Sequence, residues 1–171
     1  MAIPDRSTFA DTDLRAAAKG FYVIRDFAPG ARQGYVITQG SSSTVNLVST
    51  LPKLEAAGVN VKVIAAISEE LFDRQPESYR HAVLPPDARY DLMVVSTGTR
   101  RVWPLRNIGA QADDYSLTAD WDNQWLTGGL EADVIAEAHL DPDSVFAGVK
   151  RFADERASRL KAQRAALDSL E

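Results

Sequence analysis

Cysteine is absent from this chain, which removes disulfides, thiolate metal sites and cysteine nucleophiles from consideration. Histidine occurs only at His81 and His139, and the two do not form a metal-ligand spacing. Positive charge is not in surplus. Nineteen Lys and Arg face 24 Asp and Glu, for a formal net charge of -5 and a pI near 5.1. Nucleic-acid or anionic-membrane partners are therefore not expected. No apolar run approaches the ~20 residues of a membrane-spanning helix. Met1–Arg6 leads into no apolar segment of a signal peptide, so a cytoplasmic location is expected. The Walker and dinucleotide glycine spacings, a nucleophile-elbow serine and an assignable acid–base carboxylate pair are missing as well. What remains is 171 residues, 45% hydrophobic and 25% charged, the profile of one soluble globular domain.

Residues 1–11 are polar and read as a linker or arm. Residues 12–155 read as the domain and 156–171 as a charged, solvated helical extension. A short helix over Asp13–Lys19, stopped by Gly20, leads into two β-rich segments, Gly20–Phe27 and Gly34–Gln39. Their connection is too short for a parallel crossover, so an antiparallel hairpin is predicted. Val45, Leu47, Val48, Leu51 and Leu54 fall at helical spacing before Gly58, and Pro52 predicts a kink or break near Leu51. Val59–Ile67 is an apolar run typical of a strand covered on both faces, which completes a βαβ unit. Short helices at 69–73 and 76–82 stop at Pro85-Pro86, and Tyr90–Ser96 reads as a third parallel strand. Strand pieces near Arg101–Trp103 and Tyr115–Leu117 are weaker. Glu131–Ala138 is helical, and Asp141-Pro142 starts another helix with a cap and a proline at its first position.

Few side chains suggest chemistry. Gly40, Ser41, Ser42, Ser43 and Thr44 lie between a strand and a helix, where amides and hydroxyls can hold a phosphate or carboxylate. The plainer reading is a turn at Gly40 with Ser42 or Ser43 as helix cap. Ser96–Arg101 closes the next strand and either adds to an anion site at the same sheet edge or forms a polar turn. His139 sits at a helix end, where a cation suits the dipole. Asp113, Asp114, Asp120 and Asp122 are oxygen donors, but their spacing fits no calcium loop. Trp121 and Trp125, spaced i and i+4, and Trp103 are candidates for core or interface burial.

The most specific stretch is Ser68-Glu69-Glu70-Leu71-Phe72-Asp73-Arg74-Gln75, followed by Tyr79-Arg80 and Val83-Leu84-Pro85-Pro86. It resembles the SxELFxxQxxxYRxxVLP segment of transketolase carboxy-terminal domains. The likeness extends over roughly residues 12–155 in family order. Ala17–Ile24 resembles the short helix and first strand, and Val36–Val45 the strand with its ATGSEV turn. Leu54–Val63 is similar to a helix end and strand, and Leu140–Val145 to the start of the last helix. Where the family shows a DxFGxSxP-like stretch, this chain has Ala119–Gly129. The homodimeric dehydrogenase first components of 2-oxo-acid complexes are a second related group.

The resemblance implies an α/β fold with three αβα layers and a five-stranded, mostly parallel sheet containing one antiparallel strand. It also implies an enzyme whose upstream domains hold thiamine diphosphate and a magnesium or calcium ion at a homodimer interface. Such an enzyme moves a two-carbon ketol unit between the sugar phosphates of the pentose phosphate pathway. The cofactor supplies that chemistry. Neither the glycine-aspartate metal motif nor the activating glutamate is matched here, so no catalytic residue carries over. The expected role is a structural or assembly domain, inactive alone, that partners the thiamine-binding domains or an amino-terminal subunit. The competing expectation is an independent module that binds a nucleotide or sugar phosphate.

Overall fold

The computed structural model describes residues 14–99, 112–119 and 128–170. Their centre is a five-stranded sheet: β1 (Phe21–Arg25), β2 (Tyr35–Gln39), β3 (Lys62–Ala66), β4 (Leu92–Ser96) and β5 (Leu117–Thr118). The spatial order is β1-β3-β2-β4-β5. All adjacent pairs are parallel except β1 with β3.

That order corrects the predicted hairpin. β1 and β2 do run in opposite directions, but β3 lies between them. Phe21 is paired with Ala66, and Tyr35 with Lys62 on the other side. The reason lies in β3 itself, every residue of which is buried; such a strand needs a partner on each edge and cover on each face. The connection from Asp26 to Gly34 is long enough to step over one strand's width, ~10 Å for two inter-strand spacings. Asn60, just before β3, holds it there. Its side chain accepts from Ala28 N at 2.9 Å and donates to the carbonyls of Ala28 and Ala31. Its backbone exchanges bonds with Gln33.

Strand alternation builds two cores. Val36, Val63, Ala65, Met93 and Val95 face one side, with α1 (Ser41–Ala56) and α6 (Pro142–Asp154) packed over them through Leu47, Leu54, Val145, Val149 and Phe152. Ile37, Ile64, Ala66, Leu92 and Val94 face the other side, covered by α2 (Glu69–Asp73) and α3 (Glu77–Val83). The three-layer α/β architecture follows directly from this period-2 division.

Core packing and left-handed turns set the helix ends. α1 continues through Pro52 to Ala56 without the expected break. Buried Leu47, Val48 and Leu54 on either side of Pro52 hold both halves against one core. The helix then closes in a Schellman turn. Gly58 has φ +71°, with Val59 N bonding Leu54 O and Gly58 N bonding Glu55 O. α5 (Glu131–Glu137) ends the same way, with His139 at φ 55° in the glycine position.

α6 starts at the expected cap. Asp141 accepts from the amides of Asp143 and Ser144, each at 3.0 Å, and from the Ser144 hydroxyl at 2.6 Å. The Ser144 hydroxyl is the main cause holding this carboxyl below its ordinary value; burial opposes it and the two amides assist. A group with a depressed folded-state pKa stabilises above its unfolded value near 4 and loses that contribution as pH falls through the folded one. Asp141→Ala is therefore expected to cost about 1 kcal/mol at neutral pH. In urea titrations the penalty should shrink as pH falls below the ordinary carboxylate range and through the folded-state value.

The extension is more integrated than its charge suggests. α7 (Arg156–Asp168) follows α6 after Glu155, and its Arg159 is buried at 4% exposure. Arg156 and Arg159 both bind the Asp91 carboxylate, and Gln163 donates to Tyr90 O at 2.8 Å. The first two turns of α7 thus dock at the start of β4, while Leu167 and Leu170 are exposed.

Candidate functional site

The strand order brings the two sequence-predicted anion segments together. β2 sits between β3 and β4, so the chain after β2 turns to one side while β4 lies on the other. This is a switch point at the carboxyl edge of the parallel strands, the usual ligand position in open α/β sheets. Gly40 caps α1 there with φ +94°. A Cβ on it would lie 2.1 Å from Thr97 Oγ1, so the two turns touch. Thr97 N donates to Gln39 O at 3.3 Å, and Gly98 N to Ser96 Oγ at 2.9 Å.

The hydroxyls behave differently from expectation. Neither Ser42 nor Ser43 caps α1, since its start has no side-chain cap bond. Ser43 Oγ turns back and donates to Gln39 O at 2.5 Å and to Gly40 O at 3.1 Å. Thr38 and Thr44 pair through their hydroxyls at 3.1 Å. Ser41 is exposed at the first turn. The site therefore offers backbone amides and Ser41, while Ser43, Thr44 and Ser96 are engaged in holding the turn.

The other singled-out residues are dispersed. His81, on α3, lies 3.6 Å from Glu77 across one helical turn, and exposed His139 ends α5 as expected. Asp113 and Asp114 fall in α4 (Ala112–Tyr115). Arg100, Arg101, Trp103, Asp120, Trp121, Asp122 and Trp125, with residues 1–11, lie outside the described residues. Among the described residues no three His, Asp or Glu side chains gather as a metal site. The described part of the switch point brings no acidic ligand to its amides and hydroxyls. That donor set does not fit a magnesium pyrophosphate group, whose hard cation needs carboxylate oxygens.

The family-like segment has a structural job. Phe72 stacks on Phe21 with ring centroids 4.5 Å apart, and Tyr79 meets Phe72 edge-on at 6.4 Å. Tyr79 Oη donates to Phe21 O at 2.8 Å. Ser68 caps α2 by accepting from Leu71 N, and Gln75 closes it by donating to Leu71 O. Gly20 O accepts from Ile67 N and Ser68 N. These side chains lock α2 and α3 onto β1, the antiparallel edge strand.

Sequence reasoning missed two charged features. One is the buried Asp91–Arg156–Arg159 cluster, which nothing local announces because its members are 65 and 68 residues apart. The other is Arg80 of the recognised segment, which lines a small cleft and whose buried Nε has no hydrogen-bond partner among the described residues.

Fold and segment together define an αβα domain with a parallel centre and one antiparallel edge strand. The chain belongs to the transketolase-like TK C-terminal domain family, whose model matches residues 20–118. A transketolase of Geobacillus stearothermophilus is 32% identical over 111 residues, covering 65% of this chain and 16% of that protein. The transketolase structure from Leishmania mexicana superposes with a TM-score of 0.62 at 20% identity, over 85% of this chain and 19% of that one. A split-gene transketolase structure, an inactive beta4 tetramer, shares the fold with a TM-score of 0.53 at 11% identity, over 81% of this chain and 44% of that one. The chain thus spans only a small fraction of the length of the full transketolases it matches.

Proposed function

We propose that this polypeptide is the carboxy-terminal scaffold of a transketolase-like enzyme, acting in assembly with thiamine diphosphate-binding domains or a separate amino-terminal subunit. The carrying observation is that the family's most specific residues have structural roles: Phe72 and Tyr79 pack α2 and α3 against β1, and Gln75 closes α2. A domain whose recognised segment builds its own core contributes shape and surface, and the reacting groups come from its partner. The matched split-gene transketolase is a precedent in which transketolase is encoded in pieces. Homodimerisation of the assembly, a cytoplasmic location and an interface through Trp103, Trp121 and Trp125 belong to this reading.

The test is ketol transfer from a ketose phosphate to an aldose phosphate with thiamine diphosphate and magnesium present. The isolated chain is expected to give no turnover. Turnover should arise on adding the polypeptide that carries the thiamine motifs. Turnover by the lone chain overturns the reading.

One observation favours a second reading. The switch point places Gly40–Thr44 beside Ser96–Thr99, with Gly40 against Thr97, where a nucleotide or sugar phosphate would sit in a binding module. Calorimetry of the isolated chain with these ligands decides it. Saturable heat, lost in a Gly40→Val variant that stays folded, supports the module; no heat rejects it.

A further inference from the structure

We propose that the turn carrying Ile67 and Leu71, beside the start of β1, is the surface on which the polypeptide bearing the thiamine diphosphate-binding domains docks. The inference rests on the assembly reading above and assigns it a contact face among the described residues.

This turn is a helix start whose apolar side chains stay uncovered. Ile67 immediately precedes Ser68, the cap of α2. A hydrophobic residue there ordinarily packs on the fourth helical residue, which in α2 is Phe72. Phe72 is stacked on Phe21 and only 4% exposed. Ile67 nevertheless remains 56% exposed and Leu71 39%. A single exposed apolar residue needs no explanation, but these two share one short turn with a fixed backbone. Ile67 N and Ser68 N both donate to Gly20 O, and Leu71 N donates to Ser68 Oγ at 3.2 Å. A partner meeting that turn has little chain to order on binding. Lys19 and Glu70, both exposed, stand beside it in sequence and contact, which gives the polar margin usual around an apolar interface centre.

The occupant follows from where the rest of the related enzymes is attached. The family model describes a carboxy-terminal domain and begins its match at residue 20. The matched part makes up 16% of the Geobacillus enzyme and 19% of the Leishmania one, so the bulk of those proteins precedes the position of Gly20. In this fold Gly20 lies directly against the turn: a Cβ on it would stand 2.2 Å from Ser68 O and 3.1 Å from the Leu71 carbonyl carbon. A body joined at Gly20, or a separate chain in the same place, is therefore brought up against Ile67 and Leu71. Exposed Leu167 and Leu170 are poorer candidates. They belong to α7, which docks at the start of β4, and Ile67 follows the end of the parallel strand β3. The length of a five-residue strand, about 16 Å, separates those two sheet edges.

The full chain is tested with the polypeptide that carries the thiamine motifs. Hydrogen exchange should slow in Leu14–Lys19 and Ile67–Phe72 when that polypeptide is added, a map that needs no variant. Calorimetry should show Ile67→Asp binding at least tenfold more weakly and Leu71→Ser weakened less, with urea midpoints close to the parent's. Leu167→Asp/Leu170→Asp, at the other sheet edge, should bind like the parent. Absence of any association overturns both this inference and the assembly reading. Association with parental affinity in a folded Ile67→Asp protein, or protection confined to other segments, overturns the docking face and leaves the assembly reading standing. Protection of Ile67–Phe72 that grows with the concentration of the lone chain assigns the face to a second copy and likewise overturns the proposal.

Discussion

Truncating Asp91 to alanine is expected to lower the free energy of unfolding by about 3–5 kcal/mol, the usual penalty for stranding a buried charge. The partner left behind is Arg159, whose side chain is 2% exposed. Its guanidinium lies 3.9 Å from the Phe152 ring centroid and 4.8 Å from that of Tyr115. One terminal nitrogen donates to Phe152 O and the other to Asp91 Oδ1, each at 2.6 Å. Asp91 Oδ2 takes Arg156 Nε at 2.5 Å. Removing the carboxylate leaves a buried cation packed on two rings without its counter-charge.

The doubly substituted Asp91→Ala/Arg159→Met protein should recover part of that loss, because methionine fills the space without a charge to compensate. Equilibrium urea unfolding of the single and double variants gives the coupling directly. A loss below about 1 kcal/mol for Asp91→Ala would mean that the pair behaves as an exposed one and that α7 does not dock in solution.

Gly20→Ala carries the second large effect, about 3 kcal/mol or more. Gly20 has φ +92°, and a Cβ built on it would lie 2.2 Å from Ser68 O and 2.5 Å from Phe72 N. Both neighbours are backbone atoms of the α2 start, so relief requires moving α2 away from β1. That movement also breaks the bonds from Ile67 N and Ser68 N to Gly20 O. Gly30 is the matched control. It has φ +120° with nothing within 4 Å of the built Cβ, so Gly30→Ala should cost only the backbone strain, about 1–2 kcal/mol. Comparable urea midpoints for the two variants would show that the contact at Ser68 is not made.

Local signals predicted local structure well. Asp141-Pro142 announced the start of α6 and Gly58 the end of α1, because a cap and a left-handed turn are decided by residues within one helical turn. The segment from Ser68 to Pro86 was legible both as two short helices and as a family resemblance. Pro52 misled, because the core contacts of Leu47, Val48 and Leu54 outweigh one missing backbone bond. The serines of the β2–α1 turn misled as well. Hydroxyls can donate back to carbonyls as readily as they accept from amides, and Ser43 does the former. Of the candidate site, the two anion segments were legible separately, and their contact through Gly40 and Thr97 was not.

The amino-acid order by itself settled the class of domain, several helix ends and the family, since apolar runs, caps and a contiguous segment are all properties of neighbours along the chain. Which strand lies beside which was decided only in three dimensions. β3 separates β1 from β2 because a strand apolar on both faces gains most at the centre, a competition among distant segments that no local pattern encodes. The same holds for Asp91 with Arg159 and for Arg80 Nε, buried without an acceptor among the described residues. Burial of a charge, and whether an acceptor meets it, depend on groups that only the folded chain brings within reach.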